Sequence, residues 1–365
     1  MDNSFIALGL MSGTSLDGID ASIIKSDGED ILEIIDNKYL KYNADFKSRL
    51  SNFIKNTNDK TNIERNINIY KSLERELTIY HSQISQKIIR ENNCKVQLIG
   101  FHGQTVIHKP TDGYTIQMGD ANLLSQVLQK KVIHNFRVND IKHGGEGAPL
   151  SPIYHKTLSK KIKLKNPHLI LNIGGISNYT YIDKDKLFAK DIGPGNVLID
   201  EYLKKTKGID FDKNGEIALS GNINHDIINQ FYEHEFYNTK DKHSYDRKEF
   251  DFNFVKGLSL EDAVATLTYF TGLILSKNIK QTFNNNIDII LCGGGRKNLT
   301  LVKHLKKLLN NKIYLIDDFK IDGDFIESQA FAYLSIRSFL KKTISYPDTT
   351  NVKYPISGGE TKINF

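Results

Sequence analysis

The sequence predicts an α/β protein made of two halves that share one order of parts. Short apolar runs of strand length alternate with stretches of helical periodicity, as in α/β domains. Each half opens on a strand, a small-residue turn and a second strand. The 365 residues exceed the need of one small core and suffice for two domains. No segment recurs at a fixed period, so the halves are alike in order rather than in letters.

Residues 5–10 (FIALGL) read as a buried strand, 11–18 (MSGTSLDG) as a turn, 19–25 (IDASIIK) as a second strand and 31–36 (ILEIID) as a third. From 44 to 92 the spacing is helical, and the Ile, Leu and Tyr stripes of that stretch read as core packing. A strand at 96–101 leads into the loop HGQTVIHKP, then a strand at 114–117, a helix from 120 and a strand at 131–135. The glycine-rich stretch from His143 to Pro152 is the expected junction between domains or the wall of a cleft. The second half gives a strand at 168–173 (HLILNI), the turn GGISN, a strand at 179–182 (YTYI) and a glycine loop at 191–196 (DIGPGN). Helices near 197–206, 223–232 and 260–281 follow, then a strand at 287–292 (IDIILC), the turn GGGRKN, a helix at 298–310, a strand at 312–316 and a helix at 326–341. Domain one is accordingly set at 1–136, with the polar tail 342–365 returning to it, and domain two at 137–341.

Composition narrows the function classes. Hydrophobic residues make up 39% and charged residues 25%, as in an ordinary soluble enzyme. The formal charge of +6 is spread along the chain without a long run of one sign, so no nucleic-acid arm is expected. The two cysteines, Cys94 and Cys292, form no CxxC pair, which speaks against a disulfide framework and a structural zinc site. The apolar stretch from Phe5 to Leu10 is too short for a signal peptide core or a membrane span. A cytoplasmic protein without a membrane partner is expected.

Four groups of residues carry candidate chemistry. In the turn Gly13, Thr14, Ser15, Leu16, Asp17, Gly18, Ile19, Asp20, small residues let backbone N–H groups approach phosphate oxygens. Asp17 and Asp20 suit a hydrated Mg²⁺, which takes few protein oxygens and several waters; an Asp-rich hairpin turn is the plain alternative. In the run Asp191, Ile192, Gly193, Pro194, Gly195, Asn196, a carboxylate leads a turn into a helix whose N-terminus favours an anion. Asp191 is a candidate base there, or a simple turn residue. The glycines 293–295 leave a bare backbone on which a flat adenine or ribose could lie. The fourth group, His102, Gln104, Thr105, His108, Gln117, Asp120, Arg137, Asp140 and Glu146, offers polar side chains on loops between buried strands, as sugar or carboxylate recognition needs. No GxxxxGK[ST] and no strand-linked GxGxxG occurs, which excludes a Walker loop and a dinucleotide fingerprint.

The strings GLMSGTSLDGID, GFHGQTVIH, QMGD, HNFR with VND, GGEGAPLSP, NIGGISN, DIGPGN with LIDEY, EDAVATLT, LCGGGRKN and ESQAFAYL run in order between residues 6 and 337. Together they resemble the anhydro-N-acetylmuramic acid kinase family. The resemblance implies two duplicated actin-like (ribonuclease H-like) α/β domains flanking an ATP cleft, ATP and Mg²⁺ as cofactors, and a homodimer. It implies that 1,6-anhydro-N-acetylmuramic acid is opened by water and phosphorylated on O6, giving N-acetylmuramic acid 6-phosphate and ADP in peptidoglycan recycling and amino sugar metabolism. Carried onto this chain, it makes Asp191 the general base on water and Glu327 a second catalytic residue that touches substrate or shapes the local field. It assigns nucleotide contacts to residues 13–20 and to Gly174, Gly193, Gly195, Asn196, Gly293, Gly294 and Gly295. Ile192 stands where many relatives carry Thr, residues 243–250 (HSYDRKEF) form a loose version of the family's segment, and the tail keeps only GGE at 358–360.

Two other readings compete. A glycoside hydrolase using Asp191 and Glu327 as an acid/base pair accounts for the carboxylates but leaves the phosphate-type turns without a purpose. A non-catalytic ATP-binding switch on the same fold has no need of a base aimed at substrate.

Overall fold

The computed structural model describes residues 4–232, 250–283 and 287–365. The chain divides into two compact units, one of Met1–Lys163 with Phe325–Phe365 and one of Leu164–Asp324.

The first unit opens on an antiparallel meander of β1 (Phe5–Ser12), β2 (Gly18–Ser26) and β3 (Leu32–Lys41). The helical stretch is cut into α1 (Ala44–Lys55), α2 (Lys60–Arg65) and α3 (Ile67–Asn92). Asn43 and Asp59 cap the first two: their side chains accept from the Phe46 and Asn62 N–H groups at 2.7 and 2.8 Å. Such residues favour helix starts over interiors, so one long helix gives way to three. Next come β4 (Leu98–Lys109), β5 (Tyr114–Met118), α4 (Ala121–Leu128), β6 (Lys131–His134), α5 (Val138–Lys142) and α6 (Pro152–Lys161). Leu73, Leu77, Ile84 and Ile88 of α3 join Leu8, Leu10, Ile19, Ile23 and Ile99 of the strands in one core.

The second unit contains β7 (His168–Ile173), β8 (Ile176–Asp183), β9 (Lys186–Pro194), α7 (Val197–Lys207), α8 (Glu216–Ser220), α9 (His225–Tyr232), α10 (Leu260–Thr282), β10 (Asp288–Cys292), α11 (Leu299–Leu308) and β11 (Ile313–Leu315). Leu169, Leu171 and Ile173 pack with Leu275 and Ile279 of α10 and Leu301 and Leu305 of α11. The chain then returns to the first unit with α12 (Ile326–Phe339), α13 (Pro347–Thr350) and β12 (Glu360–Lys362).

Strand order reveals the duplication. The first sheet runs β12-β6-β4-β1-β2-β3 with β5 on β4, and the second runs β11-β10-β7-β8-β9. In each, the first three strands are antiparallel neighbours, and two further strands follow in parallel on the other side of the first, β4 then β6 in one sheet and β10 then β11 in the other. One path threaded twice gives the duplicated actin-like α/β fold. Among the described residues no helix is long and apolar enough to cross a membrane.

Several expectations need correction. HGQTVIH is not a loop: β4 continues through it and pairs with β5 across a bulge between Thr105 and Ile107. Asp191, Ile192 and Gly193 likewise belong to β9, a strand absent from the sequence reading. The division between units falls at 163/164 and 324/325 rather than at 136/137 and 341/342, and the stretch from His143 to Pro152 lies inside the first unit. The reason at the second boundary is packing. Gly9 of β1 and Gly100 of β4 stand opposite each other. A Cβ on either would come within 1.9 Å of Ser328 O or 2.1 Å of Phe331 O, so the α12 backbone lies directly on that sheet. Of the loosely matching segment at 243–250, residues 243–249 lie outside the described residues.

Candidate functional site

In the second unit the structure brings three turns together. Gly195, Asn196 and Val197 donate backbone N–H groups to the Gly175, Gly174 and Gly175 carbonyls at 2.9, 2.8 and 3.1 Å. A Cβ on Gly195 would stand 2.2 Å from Gly174 O, and one on Gly295 would stand 3.1 Å from Asn196 Oδ1. Residues 174–175, 195–197 and 293–295, more than a hundred positions apart at their extremes, therefore meet at one end of the sheet. The amides of Gly195, Asn196 and Val197 are thus engaged within the protein, while α7 begins with Val197 directly at this junction.

The glycines differ in what they are for. Gly18, Gly193, Gly195, Gly293 and Gly295 are required by protein atoms: a Cβ on each would approach Leu40 O, Ile274 Cγ2, Gly174 O, Asn172 Oδ1 or Ile173 Cγ2 within 2.9 Å or less. A Cβ on Gly13 would meet nothing within 4 Å, and one on Gly294 only Asn196 Nδ2 at 3.7 Å. Gly174 is tighter, since a Cβ there would stand 3.3 Å from Ile176 O. Gly13 and Gly294 therefore leave open space beside the backbone.

Asp191 lies on β9 directly opposite Asn178 of β8, which in turn faces Asn172 of β7, and Asn172 faces Cys292 of β10. Residues opposite in register share a face of the sheet, so these side chains form a transverse row at the strand ends beside the converged turns. Ile192, one residue on, points the other way into the core. An aliphatic residue at that position is thus accounted for by burial.

In the first unit the loop after β1 is braced from below. Ser12, 1% exposed, donates its hydroxyl to Gln104 Oε1 at 2.7 Å and shares a bond of 2.8 Å with the Tyr42 hydroxyl. Gln104 thereby supports the Gly13 turn, and its burial takes it away from direct sugar contact. Leu16 holds the turn at φ 58°, its N–H donating to Gly13 O at 3.2 Å. Thr14 and Ser15 are exposed at its tip, whereas Ile19 is fully buried. Asp17 accepts from Lys47 Nζ at 2.5 Å, so its carboxylate has a cationic partner within the protein. Among the described residues no group of three or more His, Cys, Asp and Glu is placed to hold a metal ion. A metal here would keep most of its coordination in water and bound phosphate.

His102, Arg137 and Phe331 form the second cluster of this unit. The neutral His102 ring donates Nδ1–H to Gly103 O at 2.8 Å and accepts Arg137 Nε–H on Nε2 at 3.1 Å. Burial, reinforced by the Arg137 charge, lowers its pKa well below the ordinary histidine range. Arg137 donates Nη1 to Gly147 O at 2.8 Å and stands over the Phe331 ring, leaving the Nη2 edge of its fork without a partner among the described residues. Glu327, in the first turn of α12, has an exposed side chain. Enough protein surrounds it that desolvation raises its pKa, with Arg137 pulling the other way.

The remaining polar candidates also have partners within the protein. Asp140, wholly buried, accepts from Gly147 N and Thr350 Oγ1 at 2.6 Å each and pins the loop that precedes α6. Asp120 caps α4 by accepting from Asn122 and Leu123 N–H groups at 3.0 Å. Glu146 accepts from Asn351 at 2.7 Å. Gln117 donates to Thr115 at 2.7 Å and more weakly to Thr105 at 3.4 Å, while His108 Nδ1 lies 3.1 Å from Thr115 Oγ1, so this hairpin carries its own polar ladder. Missed in the sequence were Ser12, Tyr42 and Lys47, which position the first turn, and Arg296, which follows the glycine triplet. An arginine placed there, ahead of an aspartate-rich stretch at 317–324, was the available signal.

Comparison with known proteins agrees with this geometry. The family model described as anhydro-N-acetylmuramic acid kinase matches residues 5–361. A protein of that name from Pelagibacter ubique is 45% identical, each chain being covered to 100%. Another from Zymomonas mobilis is 37% identical, over 97% of this chain and 98% of its own, and one from Brucella canis is 35% identical over 97% of both. The chain belongs to the anhydro-N-acetylmuramic acid kinase family.

Proposed function

We propose that the protein is an ATP-dependent kinase that opens 1,6-anhydro-N-acetylmuramic acid with water and phosphorylates O6, releasing N-acetylmuramic acid 6-phosphate and ADP. The observation that carries this is the meeting of the 174, 195 and 293 turns beside the strand end that bears Asp191, in a chain of that family. Bound ATP with Mg²⁺ would supply the phosphoryl electrophile and neutralise charge as it is transferred. Asp191 orients a water molecule and takes its proton as the water oxygen bonds to the anomeric carbon. The C1–O6 bond breaks, and the freed O6 becomes the phosphoryl acceptor. Gly294 offers open backbone to the nucleotide, and the turn from Gly13 to Asp20, open at Gly13, is assigned to phosphate and to Mg²⁺ through Asp17 and Asp20, with Lys47 beside Asp17.

Sugar recognition is assigned to the first unit. The Nη2 edge of Arg137, without a partner among the described residues, suits the carboxylate of the muramic acid side chain, because a guanidinium fork matches a carboxylate. Phe331 and His102 hold that guanidinium in place, and Glu327, drawn toward the neutral form, contacts the substrate near it. The proposed enzyme works in the cytoplasm as a homodimer with a small-molecule substrate and no nucleic-acid or membrane partner.

The test is ADP release from Mg-ATP with and without the anhydro sugar, for the native protein and Asp191→Asn. Sugar-dependent release by the native protein, reduced by about 10²–10⁴-fold in the variant while ATP binding persists, is expected for loss of a general base. Sugar cleavage without ATP would favour the hydrolase. ATP binding with no sugar-dependent release would favour the non-catalytic switch.

A further inference from the structure

Directly after the glycine triplet stands Arg296, 2% exposed. Its fork is fully engaged. Nε donates to Asp317 Oδ2 at 2.6 Å, and Nη2 to Asp317 Oδ1 at 3.0 Å and Asp322 Oδ1 at 3.4 Å. Nη1 donates to Asp324 Oδ1 at 2.7 Å and to the Gly293 carbonyl at 3.0 Å. Gly323 makes room for the group, since a Cβ there would stand 2.4 Å from Arg296 Nε. Lys297 adds a second ion pair to Asp324. Although partial burial works against them, Arg296 holds the Asp317 and Asp324 carboxyls below their usual range.

A surface ion pair needs neither burial nor five directed bonds, and a lysine at the rim would serve. What the buried fork fixes is the Gly293 carbonyl, at a residue with φ +77°. A peptide is planar, so anchoring that carbonyl also orients the Gly294 N–H. Gly294 is one of the glycines with an open face. We propose that Arg296 is a positioning residue for the nucleotide: tied to the 317–324 stretch, it sets the plane of the Gly293–Gly294 peptide against which ATP lies. This rests on the kinase reading above.

The experiment measures binding of a non-hydrolysable ATP analogue by calorimetry, together with KM for each substrate and the thermal midpoint, in Arg296→Lys. Lysine keeps the charge and loses the fork. Affinity for the analogue is expected to fall about tenfold, with KM for ATP rising likewise and KM for the anhydro sugar unchanged. Leu305→Ala, a core truncation in the same unit, is the control for destabilisation alone and keeps the native nucleotide affinity. Should Arg296→Lys fail to fold, Asp317→Asn, which keeps the shape and removes the partner's charge, shows the same selective loss. Native affinity in the folded variant, or an equal loss in Leu305→Ala, overturns the inference. A native protein that binds no ATP analogue overturns the kinase reading and this inference with it.

Discussion

One methyl group, placed at two glycines, separates the two uses of glycine in these turns. In Gly295→Ala the new Cβ would stand 2.2 Å from Ile173 Cγ2, where ordinary contact begins near about 3.5 Å. Ile173 is fully buried in the core of the second unit, so neither group can swing away into solvent. Overpacking of this kind costs about 1–3 kcal/mol. For a domain of this size that lowers the thermal midpoint by about 2–12 °C. In Gly13→Ala the Cβ would meet nothing within 4 Å. Its stability should change by no more than about 0.5 kcal/mol. If a phosphate oxygen approaches the Gly13 backbone, however, the methyl lies in its path, and a tenfold loss of ATP affinity corresponds to about 1.4 kcal/mol. Thermal unfolding and nucleotide calorimetry on both variants decide the matter. A native midpoint in Gly295→Ala would refute the packing argument, and native ATP affinity in Gly13→Ala would remove that turn from nucleotide contact.

Two further outcomes follow from buried polar groups. His81 is fully buried, donates Nδ1–H to Leu77 O at 2.8 Å, and has no partner on Nε2 among the described residues. Burial pushes its pKa down to about 4. It is neutral when folded and charges on unfolding below about pH 6.5, so its contribution is complete above that pH and lost as pH falls toward 4, on the order of 2–3 kcal/mol by pH 4.5. Urea unfolding at pH 7 and 4.5 should show that much less acid sensitivity in His81→Leu, and parallel acid limbs would defeat the reasoning. Asp140→Asn turns an acceptor of two donors into a group that also presents N–H, costing about 2 kcal/mol. The folded variant retains turnover, and an unaltered urea midpoint would contradict the role of Asp140 in pinning the loop.

How much of this was legible depends on the range of the cause. Strands such as 5–10 and 287–292 and helices such as 260–281 could be read because local apolar spacing decides them. The turns could be read because glycine and aspartate mark them. What those residues do once folded could not. Asp140 and Asp120 look like ligand contacts in a list of polar residues, yet one holds Gly147 and Thr350 and the other starts a helix. Gln104 becomes a brace because the hydroxyl of Ser12, 92 positions away, donates to it. The β9 strand was hidden because its DIGPGN end reads as punctuation, although pairing with β8 extends it to Pro194.

The misplaced helix at 326–341 shows why unit boundaries are harder still. By order along the chain it belongs with the strand and helix before it. By packing it belongs to the first sheet, because Gly9 and Gly100, paired across β1 and β4, let its backbone settle onto the strands at Ser328 and Phe331. Neither glycine lies in a turn, and nothing local announces what they are for. Their effect reaches the candidate site. With the carbonyl of Phe331 seated over Gly100, the Phe331 ring meets His102 at 4.5 Å and Phe136 at 5.2 Å, and Arg137 stands over it. The same seating fixes Ser328, whose hydroxyl bonds Ser22 at 2.6 Å, and with it the first helical turn that presents Glu327. The position of Glu327, a candidate site residue, is therefore set by the absence of two side chains in the sheet beneath it.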